Sequence, residues 1–437
     1  MSTTAWGAGP GGSHLDGRES RVSEVREADL MQGLPALVAR AKTASGFAKL
    51  FEHVDAKSVN SRAAFATLPV TRKSDLKTMQ ESTPPWGGLV ATDTSGLSRL
   101  FMSPGPTFDP EGRGDDWWRF ARPLWAAGLR PGRIVHNAFS YHFTPAAFMV
   151  EGAAKKIGCP VIPAGVGNTD MQLQAIAGLK PDFYAGTPSF LKLIIEKAIE
   201  SGADISSLSR AFVSAEPLPP SLRAWLIEHG MSSVLQGYGT ADLGCVAYET
   251  QTDGVVHPGF VIDEDVLVEI VRPGTGEPLP DGEVGEIVVT NFNHDYPLVR
   301  FATGDLSAVL AGASPCGRTN LRIKGWMGRA DQTTKVRGMF VHPAQIAAIV
   351  KRHPLIARAR LVVKGTTGDD RMTLMCELGA DAGVYVRNDG AGIDEAHRAA
   401  IVASIRDVTR LRGDVEFVAR GSLAIDGKVI EDARKHD

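Results

Sequence analysis

The spacing of apolar residues changes along this chain, and the changes mark out its parts. Between residues 24 and 65, Val25, Ala28, Met31, Leu34, Leu37, Val38 and Ala41 fall mostly three or four apart, which is the period of a helix with one buried face. Gly33 and Pro35 predict a split into two helices, with the proline in the first turn of the second. In LPVTRKSDLKTMQ, Pro69 breaks the chain and Thr71 or Ser74 can cap the segment that follows. From 115 onward short apolar runs and amphipathic segments take turns. WWRFARPLWAAGL reads as a helix and IVHNAFS as a strand; a helix opened by Thr144-Pro145 follows, then the pairs CPVIPAG with DMQLQAIAGL, PDFYAG with TPSFLKLIIEKAIESG, and AFVSAEPLPP with SLRAWLIEHG.

Four such alternations predict a parallel sheet with helices packed on it, whose ligands sit beyond the carboxyl ends of the strands. One rim then collects Ser140–Thr144, Gly165–Thr169, Gly186–Thr187, Ser214–Pro217 and Gly237–Asp242. Between 254 and 310 the runs become short and alternating, with Pro-Gly-Thr-Gly and Pro-Asp-Gly turns, the pattern of a small antiparallel barrel or sheet completing the large domain. After Asp331 a compact α+β segment follows. The expected fold is therefore α/β: a large N-terminal domain of parallel α/β layers plus the small barrel, and a small α+β C-terminal domain. The expected boundaries are a disordered leader at 1–20, the large domain at 21–328, a hinge at 329–331 and the small domain at 332–437.

A chain of 437 residues exceeds what one core usually supports, in keeping with two unequal domains. The formal charge of -3, with no Lys/Arg cluster, argues against a nucleic-acid partner. No apolar run approaches a membrane span, and the polar, Gly-rich start lacks a signal-peptide core. Cys159, Cys245, Cys316 and Cys376 are scattered without a CxxC pair, which fits reduced thiols in the cytoplasm.

Candidate chemistry gathers between Tyr296 and Pro343. Thr303-Gly304-Asp305 is a turn that leaves a carboxylate where an apolar run stops; Gly328-Arg329-Ala330-Asp331 is a second turn, opening the basic strand Lys335-Val336-Arg337-Gly338. Alone, each is an ordinary turn. In tandem, with Val341-x-Pro343 behind them, they resemble the signature of the adenylate-forming acyl-CoA synthetase superfamily, in its phenylacetate-CoA ligase-like branch. LPVTRKSDL resembles that branch's entry motif, and the likeness runs from about residue 30 to the C-terminus.

The resemblance implies ATP, Mg²⁺ and CoA as cofactors, a small carboxylic acid as substrate, and a C-terminal domain that swings about Asp331. By it, QGYGTAD at 236–242 would place Tyr238 along the adenine, with Gly239 beside it, Thr240 on the α-phosphate, and Asp242 at the nucleotide's Mg²⁺ where glutamate is usual. Ser214, Ala215, Glu216 and Pro217 would form the loop under the adenine, with alanine where glycine is common. Asp305 would take both ribose hydroxyls and Arg329 would sit near ribose and phosphate. Lys428, in a C-terminal Gly-Lys, would reach the reacting carboxylate and phosphate. Phe139, Tyr141 and Phe143, with Gly237, would line the acid pocket and suit an aromatic or flat apolar acid. His142 reads better as a rim histidine with one hydrogen bond than as a base.

Two departures stand out. Where the family keeps a Ser/Thr/Gly phosphate loop ending in Gly-Lys-Pro, this chain has Ser103–Gly112, with Pro104, Pro106 and Pro110 and no lysine. Where some relatives bind a structural zinc, Thr250 and Ser314 stand near two expected cysteine places, leaving Cys316 and His257, so no structural zinc is expected. The altered loop keeps other functions open: a pseudo-ligase that binds nucleotide or acyl-CoA without turnover, or an adenylating enzyme with a non-CoA acceptor. A homodimer is compatible with all of them.

Overall fold

The computed structural model describes residues 12–103, 106–327, 329–330, 334–337, 339–341, 343–365, 370–379, 395–424 and 428–434. The chain forms two compact units, Met1–Met327 and Gly328–Asp437.

The large unit is built on a nine-stranded sheet. Its parallel part runs, in spatial order, Ser233–Thr240, Arg210–Val213, Phe183–Gly186, Val135–Asn137 and Val161–Pro163. These strands are apolar on both faces because helices cover both. Phe183, Ala185, Phe212 and Leu235 pack under helices Ala121–Ala126 and Ala146–Ile157. Tyr184, Ala211, Val213 and Val234 face Pro188–Ser201 and Pro220–Glu228. The strand–helix joints obey local rules: Thr187 caps Pro188–Ser201, its side chain accepting from Phe190 N at 3.3 Å, with proline at the first helical position. Gly244–Tyr248 pairs antiparallel with Ser233–Thr240 and continues the sheet outward.

A second, four-stranded sheet runs Thr71–Arg72, Phe301–Ser307, Gly285–Asn291, Val266–Val271. Thr71–Arg72 pairs parallel with Phe301–Ala302, so the chain leaves this pair at Lys73 beside the strand that carries Asp305. Arg300, at the entry to that strand, is only 2% exposed. It donates twice to Glu269, at 3.0 Å each, and to the carbonyls of Ala66, Leu68 and Gly276 at 2.6–2.7 Å. Removing one member of such a pair strands the other in a dry site. Arg300→Met is expected to cost the large unit about 3–5 kcal/mol. A lower urea midpoint measures it; an unchanged midpoint would show that the Arg300–Glu269 pair does not hold this strand.

The N-terminal part differs from expectation in three ways. One continuous helix spans Ser23–Ala41 with Pro35 inside it, where two were expected. Leu30, Leu34, Leu37, Val38 and Ala41 bury one stripe, and that packing outweighs the roughly 3 kcal/mol that an interior proline costs. The stripe's first turn is also shifted: Val25 is exposed, and Arg26 points inward to Glu264 at 2.9 Å. Finally, residues 12–20, expected within a disordered leader, are packed. Asp16 caps the short turn Gly17–Ser20, and buried Glu19 accepts from Arg318 at 2.5 Å and from the Tyr248 hydroxyl at 2.9 Å.

The small unit has a four-stranded sheet in the order Asp414–Val418, Arg371–Leu378, Ile356–Lys364, Ile430–Asp432, covered by helices Pro343–Arg352 and Glu395–Thr409. Asp331 and Gly427 lie outside the described residues. All four cysteines are buried and reduced. Among the described residues no helix is long and apolar enough to cross a membrane.

Candidate active site

The rim at the carboxyl ends of the parallel strands is tied directly to the strands: Ala138 N donates to Ala185 O, Gly165 N to Asn137 O, and Ser214 N to Gly186 O, at 2.7–3.2 Å. Buried Gln172 orders one rim loop by donating to the carbonyls of Gly165 and Gly167 and by meeting His136 Nε2 at 2.8 Å. At the next loop, Ser214 Oγ donates to Gly237 O at 2.8 Å. Ala215 has φ +69°, a left-handed backbone that explains why glycine suits its place. Glu216 is engaged by the start of helix Pro188–Ser201, accepting from Ser189 Oγ at 2.5 Å; Pro217 is exposed beside it.

The strand Ser233–Thr240 delivers the next group. Gly237 lies against Phe212, whose ring a Cβ would meet at 2.5 Å, and a Cβ on Gly239 would meet Gly244 O at 2.4 Å, so neither position has room for a side chain. Half-buried Tyr238 donates its hydroxyl to Asp305 Oδ2 at 2.8 Å, and Trp326 Nε1 donates to Asp305 Oδ1 at 3.0 Å. The large sheet and the small sheet thus meet at this tyrosine–aspartate contact. Thr240 Oγ1 accepts from Leu243 N at 3.1 Å, closing the turn that buries Asp242.

Asp242 does not stand alone. Lys73 Nζ lies 2.5 Å from Asp242 Oδ2, and the lysine side chain is one-third exposed. Burial opposes the charge on Lys73, but Asp242, with Asp109 and Asp305 adding to it, holds its pKa above the ordinary value. Asp109 comes from the hairpin Leu97–Ser103/Thr107–Gly112, which is what the chain makes of the expected phosphate loop; Pro104 and Gly105 lie outside the described residues. Gln80 pins this hairpin to helix Leu76–Ser82 by exchanging two hydrogen bonds with the Phe108 backbone, and Met102 N donates to Phe143 O. Ser103 Oγ donates to Asp109 Oδ2 at 2.5 Å. Burial, then the neighbouring Asp242 charge, pushes the Asp109 carboxyl up to about 8.

Asp109, Lys73 and Trp326 join the candidate site by their contacts with Asp242 and Asp305 and were not expected from the sequence. Lys73 carried a signal, since it is the lysine of TRKSDL; Asp109 carried none beyond lying in the segment where a phosphate loop was sought.

The three aromatic residues expected to line an acid pocket part company. Phe139 is buried in the core beneath the sheet, Phe143 is 58% exposed with φ +62°, and only Tyr141 is half-buried at the rim. Tyr141 accepts from Asn137 Nδ2 at 2.9 Å and meets Phe148 edge-on at 5.2 Å. Residue 139 sits two after Asn137 at the strand end, which turns its side chain inward. His142 is exposed. Thr250, His257, Ser314 and Cys316 do gather: Thr250 Oγ1 is 3.1 Å from His257 Nδ1 and Ser314 Oγ 3.1 Å from Cys316 Sγ, with the Arg318 guanidinium 3.5 Å from the sulfur. Burial opposes a thiolate there, but Arg318, Ser314 and Thr250 together hold the Cys316 pKa below its usual value. In the small unit Lys428 is exposed, its carbonyl accepting from Arg360 Nε at 3.1 Å, and Arg329 is half-buried.

Comparison with known proteins gives this geometry its class. Residues 119–293 match the family model described as AMP-binding enzyme. The solved structure of 2-hydroxyisobutyryl-CoA ligase, in complex with 2-HIB-AMP and CoA, has the same fold: the TM-score is 0.79 over 98% of this chain and 94% of that one, at 24% identity. The phenylacetate-coenzyme A ligase of Thermus thermophilus is 30% identical over 336 residues, 74% of each chain. That of Aromatoleum evansii is 29% identical over 346 residues, 76% of this chain and 77% of its own. The chain belongs to the phenylacetate-coenzyme A ligase family, a branch of the AMP-forming acid–CoA ligases.

Proposed function

We propose that this chain activates an aromatic or flat apolar carboxylic acid with ATP and transfers the acyl group to CoA, both half-reactions using the rim described above. In the first, a carboxylate oxygen of the acid attacks the α-phosphorus of ATP, the bond to pyrophosphate breaks, and an acyl-adenylate forms. In the second, the CoA thiolate attacks the acyl carbon and AMP leaves with the bonding pair. The observation that carries this reading is the Tyr238–Asp305 contact at 2.8 Å, where two sheets present an aromatic face and a carboxylate side by side. A nucleoside needs both: the ring offers a stacking surface for adenine, and the carboxylate accepts from the two ribose hydroxyls once Tyr238 and Trp326 release it.

Thr240 and the backbone of Gly239 would meet the α-phosphate, and the loop Ser214–Pro217 would lie under the base. Tyr141, the aromatic residue that does reach the rim, would bound the acid. Arg329 would approach the ribose and phosphate, and Lys428 would neutralise the two anions that meet in the adenylation step. The small unit would swing about Asp331 between half-reactions, with 329–331 as hinge. Asp242, buried with Oδ1 lacking any donor among the described residues, fits a ligand of the Mg²⁺ that travels with ATP. That ion would supply charge neutralisation for the departing pyrophosphate. A cytoplasmic setting suits the buried thiols.

Replacing Tyr238 with alanine is expected to weaken AMP by about 1–3 kcal/mol, through lost stacking, and Tyr238→Phe by much less. Calorimetric titration of AMP measures both; equal losses would place the tyrosine's role in its hydroxyl. The proline-bearing hairpin Ser103–Gly112 favours one rival reading, a pseudo-ligase. ATP–pyrophosphate exchange across a panel of aryl acids separates the two. Exchange supports the ligase, whereas AMP binding with no exchange from any acid would make the chain a nucleotide sensor.

A further inference from the structure

Three elements bring their ends to one buried point beside the Tyr238–Asp305 contact. The hairpin brings Asp109, 0% exposed; the turn after Ser233–Thr240 brings Asp242, 1% exposed; the residue after Thr71–Arg72 brings Lys73. Each carboxyl has one oxygen engaged, Asp109 Oδ2 by Ser103 and Asp242 Oδ2 by Lys73. Each also has a second oxygen, Oδ1, that is buried and reached by no donor among the described residues. The Tyr296 hydroxyl, 1% exposed, is likewise buried with no partner among the described residues.

A stability role for the cluster would leave these oxygens a net cost, because an unmet buried carboxylate oxygen forfeits its hydration. Lys73 answers one oxygen of the four and the Ser103 hydroxyl another. What answers the remaining pair is a hard cation, and Mg²⁺ in particular is commonly held by only one or two carboxylates together with substrate phosphates. The charge balance points the same way. This hairpin carries Asp109 and no lysine, so an incoming triphosphate finds carboxylates at the loop and needs a cation between the two sets of anions.

We propose that Asp109 is a second carboxylate ligand, beside Asp242, for a divalent cation that accompanies the nucleotide, and that Lys73 holds the cation's place until metal and nucleotide arrive. The displaced lysine then faces the phosphates, taking over the work of the missing loop amine. This rests on the nucleotide reading of the rim and adds to it a ligand and a competitor for the metal.

The test uses the full chain, Mn²⁺ as the metal probe, and α,β-methylene-ATP, which carries the phosphates but cannot transfer its adenylyl group to an acid. Free Mn²⁺ is read by its electron paramagnetic resonance signal, and AMP affinity without metal is measured in parallel. Asp109→Asn is expected to weaken Mn²⁺ about 10-fold or more while AMP binds as before. Lys73→Met is expected to tighten Mn²⁺ several-fold, because an occupant of the site has been removed. Unchanged Mn²⁺ affinity in Asp109→Asn overturns the proposal and leaves the ligase reading intact. If Asp109→Asn loses AMP as well, Lys73→Met decides: tighter Mn²⁺ supports the site, weaker Mn²⁺ sinks it. Failure of the unaltered chain to bind AMP overturns the nucleotide reading, and this proposal with it.

Discussion

Lys428→Ala is expected to slow acyl-adenylate formation by about 10²- to 10³-fold, the usual loss when a preorganised positive partner of a developing charge is removed. In adenylation a carboxylate approaches a phosphate, and the repulsion between them peaks in the transition state. An ammonium placed there lowers the barrier more than it stabilises either ground state, so the loss should fall on turnover more than on substrate binding. Thioester formation from supplied acyl-adenylate involves no such meeting of anions. The same variant should carry it out at close to the normal rate. Stopped assays of each half-reaction make the comparison, and a similar drop in both would remove Lys428 from the role proposed for it. The lysine is exposed on the small unit, so its loss should leave folding untouched.

The second large effect is at Asp305. Its carboxylate would exchange the Tyr238 hydroxyl and the Trp326 indole for two ribose hydroxyls, and hydrogen bonds to a charged group contribute about 1.5–3 kcal/mol each. Asp305→Ala should therefore weaken AMP at least about 100-fold. Asp305→Asn, which keeps the shape but not the charge, should lie between the two. Calorimetry with AMP, with far-ultraviolet circular dichroism as a check on folding, measures the series. Wild-type affinity in Asp305→Ala would mean that the nucleoside does not sit on this strand.

Much of this architecture was open to reading from the residues alone, for reasons particular elements make plain. The parallel sheet announced itself because each strand is short and apolar on both faces, and because the helices begin with recognisable chemistry, as at Thr187-Pro188. The meeting of Tyr238 with Asp305 was implied by the family resemblance of two motif strings, but Asp305 lies buried inside the strand Phe301–Ser307 where a turn at a strand end was expected, because its pairing with Gly285–Asn291 continues past Gly304. Local rules misled where long-range packing outweighed them. Pro35 remains inside a helix because five apolar side chains around it are buried. Residues 12–20 fold down because Glu19 finds Arg318, 299 positions away in the chain and invisible to any periodicity. Phe139 and Phe143 looked like neighbours of one pocket; the end of a strand sends one inward and the other out. The Lys73–Asp242 pair was hidden for the same kind of reason, since Lys73 is brought there by the parallel pairing of Thr71 with Phe301, more than two hundred positions along the chain.

The cysteines have a practical consequence. Each of the four is shielded from solvent, at 9% exposure or less. A thiol introduced at an exposed position, such as Arg352→Cys on the small unit, would then be the main group open to a maleimide dye, with no native cysteine replaced. Paired with a second dye on the large unit, it turns the proposed swing into an observable: energy transfer recorded molecule by molecule as acid, ATP and CoA are added in turn.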